Sequence, residues 1–322
     1  MLASIVIRTL NEAHYLDDLL TMIGHQNTRG LTHEVVLIDS GSDDGTVEIA
    51  TRHGCRITTI SKQEFSFGRS LNRGCDFAKG GILVFISGHC IPENQDWLQT
   101  LCQPLIDGQA SYSYGRQVGD DDSNYSERRI FAKYYPIQSQ IPQVGFFCNN
   151  ANAAVLRSAW AEQRFDEELT GLEDMALAKP LVEAGHKVAY VAEAAVFHHH
   201  DETWASVQRR FEREAIALQQ IMPEVHLSRY DVLRYIVSSV RMDWQSAYRH
   251  GKFRSSYWGI LRYRMAQYIG GYKGNNDHRR LSQARKEGFF YPSVNESDTE
   301  NEWFKSHRRA SPDESKQSKG ER

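Results

Sequence analysis

Hydrophobic positions along the first two hundred residues fall into short β-branched runs separated by amphipathic stretches. Ser4-Ile5-Val6-Ile7, Glu34-Val35-Val36-Leu37-Ile38 and Arg56-Ile57-Thr58-Thr59-Ile60 have the pattern of strands, with helices around 13–26 and 45–53 between them. A helix near 68–79 leads into Ile82-Leu83-Val84-Phe85-Ile86, whose unbroken apolar run suits a central strand covered on both faces. Strand and helix in alternation predict an α/β fold, a Rossmann-like doubly wound and mostly parallel sheet. A later module over about 145–200 adds a strand near 187–191.

Beyond residue 203 the period becomes helical, with Leu233, Ile236, Val237, Val240 and Trp244 on one face. Around 248–273, Tyr248, Trp258 and Tyr268 alternate with Arg249, Arg254 and Arg262. The pattern divides the chain into an α/β domain over 1–203, a basic and aromatic helical appendage over 204–290, and a tail over 291–322 whose polar composition predicts disorder.

Composition narrows the classes. A chain of 322 residues, 40% hydrophobic, can bury a full core, and its formal charge of −3 supplies no global field for nucleic acid. The five cysteines are scattered without a C-x-x-C pair, which argues against a disulfide framework or a structural zinc and for a reducing compartment. The first residues enter a strand without a signal-peptide pattern, and no apolar run reaches about 18 residues, so a cytoplasmic chain is expected, soluble or peripheral to the inner face of the membrane.

Ligands on doubly wound sheets collect beyond the carboxyl ends of the strands. Those ends are Thr9-Leu10-Asn11-Glu12, then Asp39-Ser40-Gly41-Ser42-Asp43-Asp44-Gly45-Thr46, then Ser87-Gly88-His89. In the second, carboxylates can accept hydrogen bonds from a base or sugar, and Thr46 can cap the following helix. The first two ends together resemble the nucleotide-binding half of family 2 glycosyltransferases, with their T-x-N-E-like and D-x-S-x-D-G-T turns, over roughly residues 3–200. The resemblance implies the GT-A fold, a nucleotide-sugar donor, and Thr9, Asn11, Glu12, Asp39, Ser42 and Asp43 around it. Asn72-Arg73-Gly74 with Ala78-Lys79-Gly80 is similar to the family's N-x-G-x-x-x-A-x-G stretch, which implies that Arg69, Asn72 and Arg73 face the donor.

The third strand end departs from the family, whose Asp-x-Asp is replaced by Ser87-Gly88-His89. With both acids lost, three readings stand: His89 ligates a divalent cation (Mn²⁺ or Mg²⁺), His89 meets the phosphate directly, or the donor needs no metal because its leaving group carries one phosphate. Gly88 and His89 remain at the donor in each. Glu173-Asp174 resembles the acidic pair that supplies the base of an inverting transfer, with Asp174 as base and Glu173 orienting it or the acceptor. Val196-Phe197-His198-His199-His200 is similar to the V-x-H-x-H that closes the domain, which implies His198 and His200 as partners of His89 on a metal or phosphate. Asn149, Asn150 and Asn152 are implied at the acceptor.

The expected activity is therefore inverting transfer of a sugar from a nucleotide donor to a glycan or lipid-linked acceptor in capsule- or O-antigen-like surface polysaccharide synthesis. Two other classes compete: a nucleotidyltransferase, which would carry a Gly-rich basic signature that Thr9-Leu10-Asn11-Glu12 is not, and a non-catalytic nucleotide-sugar binder, which has no use for Glu173-Asp174. The appendage suits either an anionic membrane surface or an ordinary helical contact.

Overall fold

A computed structural model of the chain describes residues 1–119, 123–199 and 203–276; the expected tail over 291–322 and His200 lie outside the described residues. The opening alternation is β1 (Leu2–Thr9), α1 (Ala13–Gly24), β2 (Thr32–Asp39), α2 (Thr46–Arg52), β3 (Arg56–Thr59), α3 (Phe67–Phe77) and β4 (Ile82–Ile86). There follow β5 (Cys90–Pro92), α4 (Trp97–Ile106), β6 (Tyr112–Gly119), α5 (Tyr125–Tyr134), β7 (Asn152–Leu156), α6 (Arg157–Glu162), α7 (Glu173–Glu183) and β8 (Val188–His198). Three long helices come last: α8 (Trp204–Ile221), α9 (Arg229–Arg249) and α10 (Phe253–Asn275).

Among the described residues the strands form one eight-stranded sheet in the order β3-β2-β1-β4-β7-β6-β8-β5. Parallel pairing joins β3, β2, β1 and β4, and β6 with β8; β7 and β5 run against their neighbours. Every residue of β4 is buried, as a central apolar strand requires. Alternation along β1 sends Val6 to the face shared with Leu71 and Cys75 of α3, and Ile5 and Ile7 to the face shared with Leu16 of α1 and Trp97 of α4. The sheet is thus covered on both sides.

Register positions the functional ends. Thr9 pairs with Asp39, so the carboxyl ends of β1 and β2 are level. Because β7 is antiparallel to β4, Asn152 sits opposite Ile86, and the residues before Asn152 arrive at the same edge. Strand β8 runs well past the expected 187–191, and its last residue, His198, pairs with Cys90 of β5.

The C-terminal helices are tied to the sheet domain by a buried ionic hub. Asp243 of α9 accepts from Ser126 Oγ (2.7 Å) and Arg129 Nε (2.6 Å) of α5 and from Arg264 Nε (2.7 Å) of α10. A capping box starts α9, where Ser228 accepts from the Asp231 amide and Asp231 accepts from that of Ser228. Helices α8 and α10 approach closely at Gly270 and Gly274, where a Cβ would fall 2.3 Å from the Gln208 carbonyl oxygen and 2.1 Å from that of Glu212.

Candidate active site

Two loops at the carboxyl ends of β1 and β2 are stitched into one floor. Asn11, at φ 57°, is one of two non-glycine residues with positive φ among the described residues, and a short polar side chain tolerates that conformation. Its amide donates to Ser42 Oγ (2.9 Å) and its Oδ1 accepts from the Asp43 amide (3.0 Å). Asp39 is buried and accepts from Thr9 Oγ1 (3.2 Å), the amides of Gly41 and Ser42 (2.9 and 3.0 Å) and Ser42 Oγ (2.5 Å). Its carboxylate therefore shapes the turn. Thr46 does not cap α2 as expected: the cap residue is Gly45, at φ 97°, and Thr46 Oγ1 instead accepts from the Glu12 amide (2.9 Å) while donating to Asp44 (2.5 Å).

Above this floor lies a cavity of about 170 Å³ lined by Arg8, Thr9, Glu12, Ser40, Phe65, Phe67, Gly88, His89 and Asn150, among others. Gly88 is required by close approach, since a Cβ there would come within 2.8 Å of the Glu12 side chain. That contact lets Glu12 reach His89, whose Nδ1 lies 3.0 Å from Glu12 Oε1. The β5–β8 pairing brings in His198, with its Nε2 3.2 Å from His89 Nε2. His198 Nδ1 in turn lies 2.7 Å from Gln117 Oε1, and Gln117 Nε2 donates to Tyr135 Oη (3.0 Å) and Asn149 Oδ1 (2.9 Å).

The tautomers follow from this inventory. Gln117 uses its amide hydrogens on Tyr135 and Asn149, so its Oε1 is the acceptor and His198 Nδ1 the donor; an ionised Glu12 likewise makes His89 Nδ1 a donor. Both Nε2 lone pairs then face each other. A proton held between them reconciles the 3.2 Å separation. So does a common cation: two imidazole nitrogens about 2.1 Å from one ion lie about 3.4 Å apart at a tetrahedral angle, and ring orientation by a carboxylate and an amide oxygen is what metal-binding imidazoles usually have. The residues present thus fit a cation, although no group of three or more His, Cys, Asp or Glu that could hold one exists among the described residues. Donor oxygens would have to complete the shell. His199 turns elsewhere and stacks on Tyr15, ring centroids 4.8 Å apart.

Behind Asn150 and Arg8 of the cavity lining, α7 begins with Glu173 and Asp174, both buried, directly after Leu172 at φ 53°. A left-handed leucine is strained, and such strain concentrates at functional sites. Asp174 Oδ2 accepts from the Asn150 amide (2.9 Å) and Oδ1 from the Met175 amide (2.7 Å). Burial, reinforced by the neighbouring Glu173 charge, pushes the Asp174 carboxyl up to about 7 against the pull of those two amides. Glu173 Oε1 lies 3.5 Å from Arg8 Nη2, and Arg8 also covers the face of Phe67. Neither acid lines the cavity; Asp174 meets it through Asn150 and Glu173 through Arg8.

Other expected residues sit apart. Arg69 and Arg73, one turn apart on α3, do not line the cavity; they pair with Glu167 (2.8 Å) and, at 3.8 Å, Glu64. Asn72 is buried and clamps the 160–167 segment, donating to the Phe165 carbonyl and Glu167 and accepting from Trp160 Nε1. Asn152 is fully buried between Trp97 Nε1 and the carbonyls of Arg116 and Ala194. Arg8, Gln117 and Tyr135 were not singled out in the sequence. Arg8 carries a signal, a charge inside an apolar strand next to Thr9; Gln117 and Tyr135 carry none beyond being polar groups in a segment without motifs.

Residues 4–165 match the family described as glycosyl transferase family 2. Among curated relatives, the O-antigen chain rhamnosyltransferase WbaN of Salmonella anatum is 32% identical over 53% of this chain and 58% of its own length. The O-antigen chain rhamnosyltransferase RfbN of Salmonella typhimurium is 28% identical over 63% of this chain and 68% of its own. The chain thus spans a little over half to two thirds of these relatives. Among solved structures, the mannosyltransferase PcManGT of Pyrobaculum calidifontis, in complex with GDP-Man and Mn²⁺, is similar with a TM-score of 0.61 at 16% identity, covering 86% of this chain and 88% of that one. Glucosyl-3-phosphoglycerate synthase of Mycobacterium tuberculosis, with Mn²⁺ and UDP-glucose, reaches a TM-score of 0.51 at 20% identity, covering 68% and 79%. At these identities the two structures bear on the fold, which is the expected GT-A arrangement.

Proposed function

Because this chain belongs to glycosyl transferase family 2, we propose that it transfers a sugar, with inversion, from a nucleotide-sugar donor to a hydroxyl of a glycan or lipid-linked acceptor in surface polysaccharide synthesis. The observation that carries the reading is one cavity lined by two chemically different sets of groups: Glu12 and His89, backed by buried His198, and Asn150 and Arg8, backed by Asp174 and Glu173. The loops after β1 and β2 would take the nucleotide, and the names of the two Salmonella relatives make a nucleotide-linked rhamnose the first donor to test. Transfer to a membrane-held acceptor would work at the cytoplasmic face.

In the reaction the acceptor oxygen attacks the anomeric carbon opposite the leaving nucleotide, and its proton passes to a carboxylate. Asp174 is the proposed base; a carboxyl pushed up to about 7 is matched to taking a proton near neutral pH. Its burial keeps it from solvent behind Asn150, whose amide it holds, so proton transfer would require the acceptor hydroxyl to reach past Asn150. Glu173 holds Arg8 in place. His89 and His198 would hold a divalent cation, which when bound offsets negative charge on a donor diphosphate. Imidazole nitrogens favour Mn²⁺ over Mg²⁺.

Calorimetric binding of UDP, GDP, dTDP and CMP, each with Mn²⁺ and then with EDTA, tests the reading. Metal-dependent binding of one diphosphate, lost in His89→Ala and His198→Ala, is the expected result. Metal-free binding would assign the pair's shared proton to the phosphate instead, and no binding of any nucleotide would sink the donor site.

A further inference from the structure

We propose that the outward face of α9 is a docking surface for an anionic lipid bilayer. The inward face of this helix, with Ile236, Val240, Trp244 and Ala247, packs in one cluster with Ile260 of α10. The outward face leaves Tyr230, Leu233, Val237 and Met242 exposed at 73, 63, 59 and 57%. They line one shallow surface groove with Arg234 and Arg241, at the three- and four-residue spacings that share a helix face. Single exposed apolar residues are ordinary on protein surfaces. Four on one helix face, interleaved with arginines, form a continuous amphipathic surface along a helix about 30 Å long.

Charge selects the occupant. From 229 to 276 the chain carries nine lysines and arginines, one of which, Arg264, is buried on Asp243, against two acids, Asp231 and Asp243. Asp243 is buried in its hub, and Asp231 is half-buried, capping α9 and meeting Arg234 at 3.3 Å. No acidic side chain is exposed in this stretch, whereas the whole chain has a formal charge of −3 and so holds its acid excess elsewhere. An anionic headgroup layer satisfies the arginines while the apolar side chains enter beneath it. No helix among the described residues is long and apolar enough to cross a membrane, so contact would lie along the surface.

Cosedimentation of the full chain with phosphatidylglycerol-containing and pure phosphatidylcholine vesicles tests this, independently of the sugar-transfer reading. Binding should require the anionic lipid and weaken with salt. Each arginine removed should cost roughly fivefold, so Arg234→Gln with Arg241→Gln should lower the partition coefficient about thirtyfold. Leu233→Ser with Val237→Ser should lower it further without changing circular dichroism. Nucleotide binding in solution should be unchanged in both variants. Equal binding to neutral vesicles, or variants that bind as wild type, would overturn the proposal. Self-association that Leu233→Ser with Val237→Ser abolishes, with no vesicle binding, would assign the face to a second copy and overturn it as well.

Discussion

Asp174→Asn separates the chemical role of this carboxyl from its structural cost. In the unfolded chain it ionises near 3.8, whereas burial and Glu173 hold it protonated up to about 7 in the folded protein. Between those values the folded state binds the extra proton, so this group's contribution to stability is greatest below pH 4, falls as pH rises, and levels off above 7. A shift of roughly three units sets a ceiling of about 4 kcal/mol. Asparagine never ionises and escapes that loss. It also has one acceptor oxygen where Asp174 offers two, so it cannot accept from both the Asn150 and Met175 amides, at a cost of about 1–3 kcal/mol. The variant should therefore be less stable than wild type at pH 4.5 and equal or more stable at pH 8, the difference moving by about 3 kcal/mol. Urea melts at the two pH values measure it, and comparison with wild type cancels the opposite trend from His33, which burial pulls down. Transfer should fall by orders of magnitude with donor binding kept. A stability difference that does not move with pH would refute the environment assigned to Asp174. Loss of transfer in Glu173→Gln but not in Asp174→Asn would refute its role as base.

In wild type, kcat/KM should rise with pH through about 7 and then flatten, read from initial rates between pH 5 and 9. Asp243→Ala would leave Arg129 and Arg264 facing each other without their carboxylate, and should cost about 3–5 kcal/mol in a denaturant melt. Gly274→Ala places a methyl against the Glu212 carbonyl and should force α8 and α10 apart, costing about 1–3 kcal/mol; an unchanged Tm would refute that close approach. Tyr112→Phe removes the hydroxyl that donates to Asn150 Oδ1 (2.5 Å), and should lower kcat while leaving nucleotide affinity unaltered by calorimetry.

The alternation of apolar runs and amphipathic helices was enough to locate β1, β2, β3 and β4 with their intervening helices, because each strand buries a short continuous stretch and each helix one face. It was also enough to mark the strand ends, since polar residues directly after a buried strand stand out in one dimension. Local spacing could not reveal antiparallel β7 and β5 or the reach of β8 to His198; the partnership of His198 with His89, 109 residues away, is implied by the family resemblance, and only the strand pairing gives its geometry. Nor could it show that Arg69 and Asn72 turn to the 160–167 segment, or that Arg8 and Gln117 complete the site. Those facts depend on which side chains meet across the sheet, and on the acids and carbonyls nearest each donor once the chain has closed. Burial of Asp174 is of the same kind: its sequence neighbours are ordinary helix-start residues, and only the packing of Asn150 and Glu173 around it withdraws water and moves its proton toward neutral pH.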